Sequence, residues 1–263
     1  MARERIDDLQ RNGCRIIQRP DMFCFGMDAV LLAYWAGACV RRGSRVLDLC
    51  SGNGVVPILM DARLPDALRA EGSVHFTGVE INPASVDMAR RSAAMNGQDG
   101  RIRFLEGDIR SVCRGKLAAG PAGQHGEMEE LSPGSFDCVT VNPPYMTGQG
   151  GLKGESRDKA IARHEVLCTI DDVAASSADA LKSGGHLYMV HRPHRLGDIF
   201  QAMERHALAV KGLRMVHPFS DREAMMVLID AAKGGRTYVR VERPLVIYQE
   251  AGVYTEEVRA LYG

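Results

Sequence analysis
From residue 45 onward, short apolar runs alternate with stretches of helical period. Residues 45–50 read as a strand entered from a glycine-containing turn, and residues 55–64 as the helix that follows. Residues 75–80 form the second predicted strand and residues 83–96 the second helix, with Pro83 suited to its first turn. A third strand at 102–106 leads into a weaker helix. The stretch 115–135, rich in Gly, Pro, Ala and Glu, reads as a mobile surface loop. A fourth strand spans 136–141 and a helix 169–181. Gly184 and Gly185 turn the chain into a fifth strand at 186–191, and segments 213–217 and 224–229 supply two more. Seven strands interleaved with helices predict an α/β, doubly wound sheet with its ligands at the strand carboxyl ends. No internal repeat or low-complexity domain is present.

Composition narrows the picture. The chain of 263 residues is 45% hydrophobic and 25% charged, the balance of an ordinary globular protein, so residues 1–263 are expected to form a single domain with 1–40 as a short N-terminal cap region. Formal net charge is zero, so any affinity for nucleic acid has to come from local basic patches. The longest apolar run, residues 29–40, is too short to cross a bilayer, and the charged start lacks an apolar signal core. A cytoplasmic protein with no membrane partner is expected. The seven cysteines are scattered, odd in number and without a C-x-x-C pair, which argues against a disulfide framework or a zinc knuckle.

Chemistry-bearing residues gather at the predicted strand ends. Asp48 precedes a glycine turn, Gly52-Asn53-Gly54, that joins the first strand to its helix. Glu80, followed by Ile81, closes the second strand, where a carboxylate can accept both ribose hydroxyls of a nucleoside. Asp108 follows the third strand and can accept from an adenine amino group. Taken singly, each acid is equally a solvated strand end or a helix cap. A dinucleotide fingerprint would need a third glycine where Pro57 stands, which disfavours NAD.

Asp48-x-x-x-Gly52-x-Gly54, with an acid ending the next strand, resembles the first motifs of class I S-adenosyl-L-methionine methyltransferases. The resemblance covers roughly residues 25–229. It implies a Rossmann-like, seven-stranded, mostly parallel sheet whose last strand is antiparallel. It also implies S-adenosyl-L-methionine as cofactor, bound through Asp28, Asp48, Gly52, Asn53, Gly54, Glu80, Ile81, Asp108 and Asn142. Asn142-Pro143-Pro144-Tyr145, after the fourth strand, resembles the (N/D)-P-P-(Y/F/W) motif of methyltransferases acting on a planar, conjugated nitrogen. Such a nitrogen is a poor nucleophile because its lone pair is delocalised. The Asn142 side-chain oxygen and the Pro143 carbonyl can hold its two hydrogens and favour pyramidal geometry as transfer begins. Tyr145 can stack on a flat substrate, while Pro143 and Pro144 stiffen the loop.

Residues 23–33, with Asp28 among them, are similar to an element that precedes the first motif in tRNA(Val) adenine-N6 methyltransferase-like proteins; Asp28 also reads as a helix N-cap. Diffuse similarities to that family recur at 162–165, 187–193, 216–218 and 245–257. Release-factor glutamine methyltransferases share the Asn-Pro-Pro-Tyr motif but carry a helical domain ahead of it, and only about 45 residues precede Asp48 here. DNA adenine methyltransferases need a target-recognition domain that has no room in this chain. The expected activity is therefore N6-methylation of an adenine in RNA, most naturally tRNA. The alternatives are a protein glutamine methyltransferase and a non-catalytic cofactor-binding RNA-binding protein. Lys153, Arg157, Lys159, Arg163, Arg192 and Arg195 either grip phosphates or belong to solvated loops. His164, His191 and His194 match no metal spacing, and no metal is expected.

Overall fold
The structure, a computed structural model, describes residues 3–22, 24–114, 131–144, 168–236 and 238–262. The chain opens with an antiparallel hairpin of β1 (Arg5–Asp8) and β2 (Arg15–Gln18), which no apolar run announces. Helix α1 (Met27–Gly37) follows, then β3 (Arg45–Leu49), α2 (Val55–Ala62), α3 (Asp66–Glu71), β4 (His75–Glu80), α4 (Pro83–Met95) and β5 (Ile102–Glu106). A 3₁₀ segment, Ile109–Arg114, stands where the weaker helix was expected. Beyond it come β6 (Phe136–Val141), α5 (Ile170–Ala180), β7 (Leu181–His191), α6 (Leu196–Arg205), β8 (Leu208–His217) and β9 (Met226–Lys233). Short strands β10 (Arg240–Val241), β11 (Leu245–Val246), β12 (Tyr248–Glu250) and β13 (Val253–Tyr254) precede α7 (Glu256–Tyr262).

The main sheet runs β10-β8-β9-β7-β6-β3-β4-β5, with β11 also on β8. β9 is antiparallel to both neighbours, and the other pairings are parallel, as expected of a seven-stranded core. β10 and β11 extend that core along the outer edge of β8. The fifth core strand also begins earlier than predicted. Phe136 pairs with Leu181 and Cys138 with His186, so residues between them bulge around Gly184, whose φ is +77°.

Side-chain alternation sorts each strand between two cores. Val46, Phe76 and Cys138 pack towards α1, α2 and α4, whereas Leu47, Val139 and Leu187 pack towards α5 and α6. The long apolar run in the N-terminal region is explained by α1, which is buried from Ala29 to Ala33 and touches β6, β7, β9, α2 and α7. Among the described residues no helix is long and apolar enough to cross a membrane.

Two expectations need correction. Asp28 is not the cap of α1: Gly26 occupies that position and Asp28 lies in the first turn, its Oδ1 accepting from the Ala29 N–H. The predicted surface loop ends sooner than composition suggests. Residues 115–130 lie outside the described residues, but Leu131 is only 2% exposed, and the Gly134 and Ser135 amides bond to the Asp179 and Ala180 carbonyls. A single leucine after a Gly-rich stretch has no period to reveal its burial.

One aromatic ring pins β4, β5 and the turn after β3 together. Phe104 of β5 fills the space against two glycines: a Cβ at Gly78 would stand 2.5 Å from its ring and from Ser51 Oγ, and one at Gly54 would also collide with the ring. Gly78→Ala is expected to destabilise the fold by about 1–3 kcal/mol through overpacking. The additional change Phe104→Leu should recover part of that loss. Chemical denaturation of the single and double variants checks both; equal stability of wild type and Gly78→Ala would show that the ring moves aside freely.

Candidate active site
Strand order reverses between β3 and β6, and the crevice of an open α/β sheet lies at such a point, outside the carboxyl ends of the strands. The turn leaving β3 is tight. Cys50 adopts φ +56°, Gly52 φ +56° and Gly54 φ +84°, and the Ser51 amide bonds to the Val79 carbonyl at 3.0 Å. A Cβ on Gly52 would meet nothing within 4 Å, so the turn presents bare backbone to the crevice.

Three of the predicted acids flank this turn, each differently held. Asp48 is 2% exposed and accepts from Thr140 Oγ1 at 2.6 Å, across a register that sets the two residues opposite one another. Burial raises its pKa to about 7, against the opposing effect of the Thr140 hydrogen bond, and the Glu80 charge adds to the rise. Glu80 is a two-sided clamp: Oε2 accepts from the Gly52 amide at 2.9 Å and Oε1 from the Asn82 amide at 2.8 Å. Burial raises its pKa, while those amides lower it. Ile81 follows with 36% exposure, an apolar edge beside the carboxylate. Asp108 stands at the end of β5, where burial pushes its pKa up but Arg110 brings it below the usual range through backbone and guanidinium bonds.

Asn142 emerges two residues after Thr140, on the same face of β6. Its Nδ2 donates to Asp28 Oδ2 at 3.1 Å, and this bond fixes which way the carboxamide faces. The first turn of α1 thereby reaches the motif across 114 positions of sequence. Asn53 is the predicted site residue that turns elsewhere: it is buried, and its Nδ2 donates to the Ile17 carbonyl of β2 at 3.3 Å. Pro143 is buried and Pro144 partly so; Tyr145, Lys153, Arg157, Lys159, Arg163 and His164 lie outside the described residues.

The chain is next described at Cys168, whose sulfur lies 4.0 Å from that of Cys50. Arg192 donates to the Met225 carbonyl and Arg195 pairs with Asp198. His191 is fully buried, and burial lowers its pKa to about 4. Thr140 and Ile17 were not foreseen as site partners. Thr140 was within reach, because its two-residue spacing to Asn142 is visible in the sequence; Ile17 was not.

The order of strands, the antiparallel β9, the glycine turn and the strand-end acids give this chain the fold of the class I S-adenosyl-L-methionine methyltransferases. A curated relative named tRNA1(Val) (adenine(37)-N6)-methyltransferase, from Phocaeicola vulgatus, is 28% identical over 236 residues, covering 90% of this chain and 87% of its own. Among solved structures, a protein described as a predicted O-methyltransferase from Agrobacterium tumefaciens superposes with a TM-score of 0.65 at 24% identity, covering 90% of this chain and 95% of that one. Geranyl diphosphate C-methyltransferase from Streptomyces coelicolor, solved with S-adenosyl-L-homocysteine, shares the fold with a TM-score of 0.51 at 12% identity, covering 77% of each chain. No family model matches the chain.

The raised pKa of Asp48 has a definite sign for stability. Between an unfolded value near 3.9 and the folded value of about 7, the folded protein holds a proton that the unfolded chain has released. Its contribution is therefore lost as pH rises through that window. Relative to wild type, Asp48→Asn is expected to gain stability from pH 4 to pH 7 by up to about 1.4 kcal/mol per pH unit, and to show no further relative change above it. Thermal melts across pH 4–8 check this; a pH-independent difference between the two proteins would show that Asp48 titrates normally.

Proposed function
We propose that this chain is an S-adenosyl-L-methionine-dependent methyltransferase that methylates the N6 amine of an adenine in tRNA. The observation that carries the proposal is Asn142, oriented by Asp28 at the switch point of the sheet, beside the turn clamped by Glu80. The name of the curated relative, aligned over nine-tenths of this chain, supports the substrate class. A cytoplasmic location belongs to the same reading, as does one methyltransferase domain with residues 1–40 as its cap.

The residues fit the cofactor. Glu80 is a desolvated carboxylate that would gain from two ribose hydroxyl donors, Ile81 offers an apolar edge to adenine, and Gly52 leaves the backbone approachable. Asp108 would accept from the adenine amino group, sharing its oxygens with Arg110. Asp48 and Gly54 shape the turn against which the cofactor would lie, and Asn53 ties that turn to the N-terminal hairpin. When bound, the cofactor supplies a methyl group activated by its sulfonium.

On the substrate side, Asn142 Nδ2 is bound to Asp28, so Oδ1, on the other branch of the carboxamide, is the atom that accepts from the target amine. The Pro143 carbonyl is the second acceptor. Together they draw both N–H bonds out of the plane of the base, localising the lone pair on nitrogen for attack. The nitrogen gains positive charge as the new N–C bond forms at the expense of the methyl–sulfur bond, with S-adenosyl-L-homocysteine as the leaving group, and it would then shed a proton to solvent without needing a strong base. Tyr145 would stack on the extruded adenine.

The test is incubation of the purified protein with cofactor and unmodified tRNA, followed by nucleoside digestion and mass spectrometry. N6-methyladenosine is the expected product. Asn142→Ala should lower turnover roughly 10²-fold to 10³-fold with a much smaller change in cofactor affinity. Asp28→Ala should fall between, at about 10-fold to 10²-fold, because it misorients Asn142 without removing it. Glu80→Ala should instead weaken cofactor binding measured by calorimetry. Methylglutamine in a release factor, or a methylated small molecule with tRNA untouched, would overturn the substrate.

A further inference from the structure
Outside the site, the outer edge of the sheet carries an unusual strip. Residues 236–243, of which Thr237 lies outside the described residues, include β10, and Arg240 and Val241 pair with β8. Tyr238 is 74% exposed and Val241 67%, and Val239, Arg236, Arg240 and Arg243 are exposed with them. Three arginines stand against one glutamate, and that glutamate pairs with Arg240 at 2.7 Å. Among the described residues, neither Arg236 nor Arg243 has an ion-pair partner. The strip's backbone is held from beneath, because Lys211 donates to the Arg236 carbonyl and Arg214 to the Arg243 carbonyl.

Its direction matters. Arg240 lies opposite Gly212 in the middle of β8, whereas Leu245 and Val246 lie opposite Val216 and His217 at its carboxyl end. The strip therefore leads towards the end of the sheet from which Asn142 emerges. β10 is separated from β6 by β8, β9 and β7, a span of roughly 20 Å at ordinary strand spacing. A free nucleotide at Asn142 would not reach it, but a folded RNA would.

We propose that Arg236, Tyr238, Arg240 and Arg243 form an RNA-docking strip that grips the body of the tRNA while its target adenine lies at Asn142; this rests on the tRNA reading above. The guanidinium groups take phosphates and Tyr238 stacks on an unpaired base. Protection of a bare sheet edge would explain the arginines but not the exposed tyrosine and valines, which invite association. Pairing of two copies along this edge would bring like charges together.

The test measures binding of unmodified tRNA, with S-adenosyl-L-homocysteine present, as a function of salt. The triple change Arg236→Ala, Arg240→Ala, Arg243→Ala should weaken binding about 10-fold or more at physiological salt and flatten the slope of log K against log salt by about 2. It should raise KM for tRNA while leaving turnover at saturation, cofactor affinity and melting temperature near wild type. Tyr238→Ala should weaken binding at least about 5-fold with little change in slope, and Tyr238→Phe should retain it. Glu242→Gln should tighten binding. Lysine at all three arginine positions should recover most of the salt slope; a slope as flat as that of the alanine triple would overturn the phosphate contact and the proposal with it. Unchanged affinity and slope in the alanine triple, or a wild-type dimer in sedimentation that these changes disperse, would also overturn it. If wild type neither binds nor methylates tRNA, the functional reading falls; if wild type methylates tRNA and the variants match it, the strip alone falls.

Discussion
The register between β3 and β6 is the constraint on which the site depends. It sets Asp48 opposite Thr140, and the 2.6 Å bond between them gives a buried carboxyl its partner. Because side chains alternate along a strand, the same register decides that Asn142 emerges on the face occupied by α1. A slip of one residue would turn Asn142 towards the α5 side and set an apolar side chain opposite Asp48. Fold and chemistry are therefore specified by one alignment of two neighbouring strands.

The termini hold α1, and hence Asp28, against that face. On one side Gln18 donates to Asp7 and accepts from the Phe25 amide, fixing the approach to the helix. On the other, a ladder of rings runs from Phe219 through Tyr248 and Tyr254 to Tyr262, with centroids 5.2–5.8 Å apart. Tyr262 then donates to Met27 Sδ at 3.3 Å, one residue before Asp28. Arg63 adds a bond to the Leu261 carbonyl while its guanidinium lies over the Tyr34 ring. The segments before and after the sheet act on the site through the helix they share.

The central strands were legible in the sequence because each is a short apolar run bounded by turn residues: the second core strand, His75–Glu80, was bounded without error. The acids at their ends were legible for the same reason. β1, β2 and β10–β13 are two to four residues long, too short for a period to register, and β10 and β11 pair with β8, an earlier element of the chain. Asp28 reads as a cap from the sequence, since a carboxylate before an apolar run looks the same whether it is the cap or, as here, sits two residues further in. Its bond to Asn142 is a tertiary contact for which no local pattern exists. The arginines nearest the motif stand out in the sequence by their clustering, whereas the strip at 236–243 becomes visible only when its edge position is known.

The Asp48–Thr140 pair also has a consequence for how the chain assembles. The two residues are 92 positions apart, so during synthesis β3 is made, and can pair with β4 and β5, well before β6 exists. Until then the Asp48 carboxylate faces water on its open flank and is ionised at neutral pH. Docking of β6 closes that flank and removes the hydration. Closing the sheet's central seam over this carboxyl is therefore coupled to proton uptake, and becomes more favourable as the pH falls from above to below about 7.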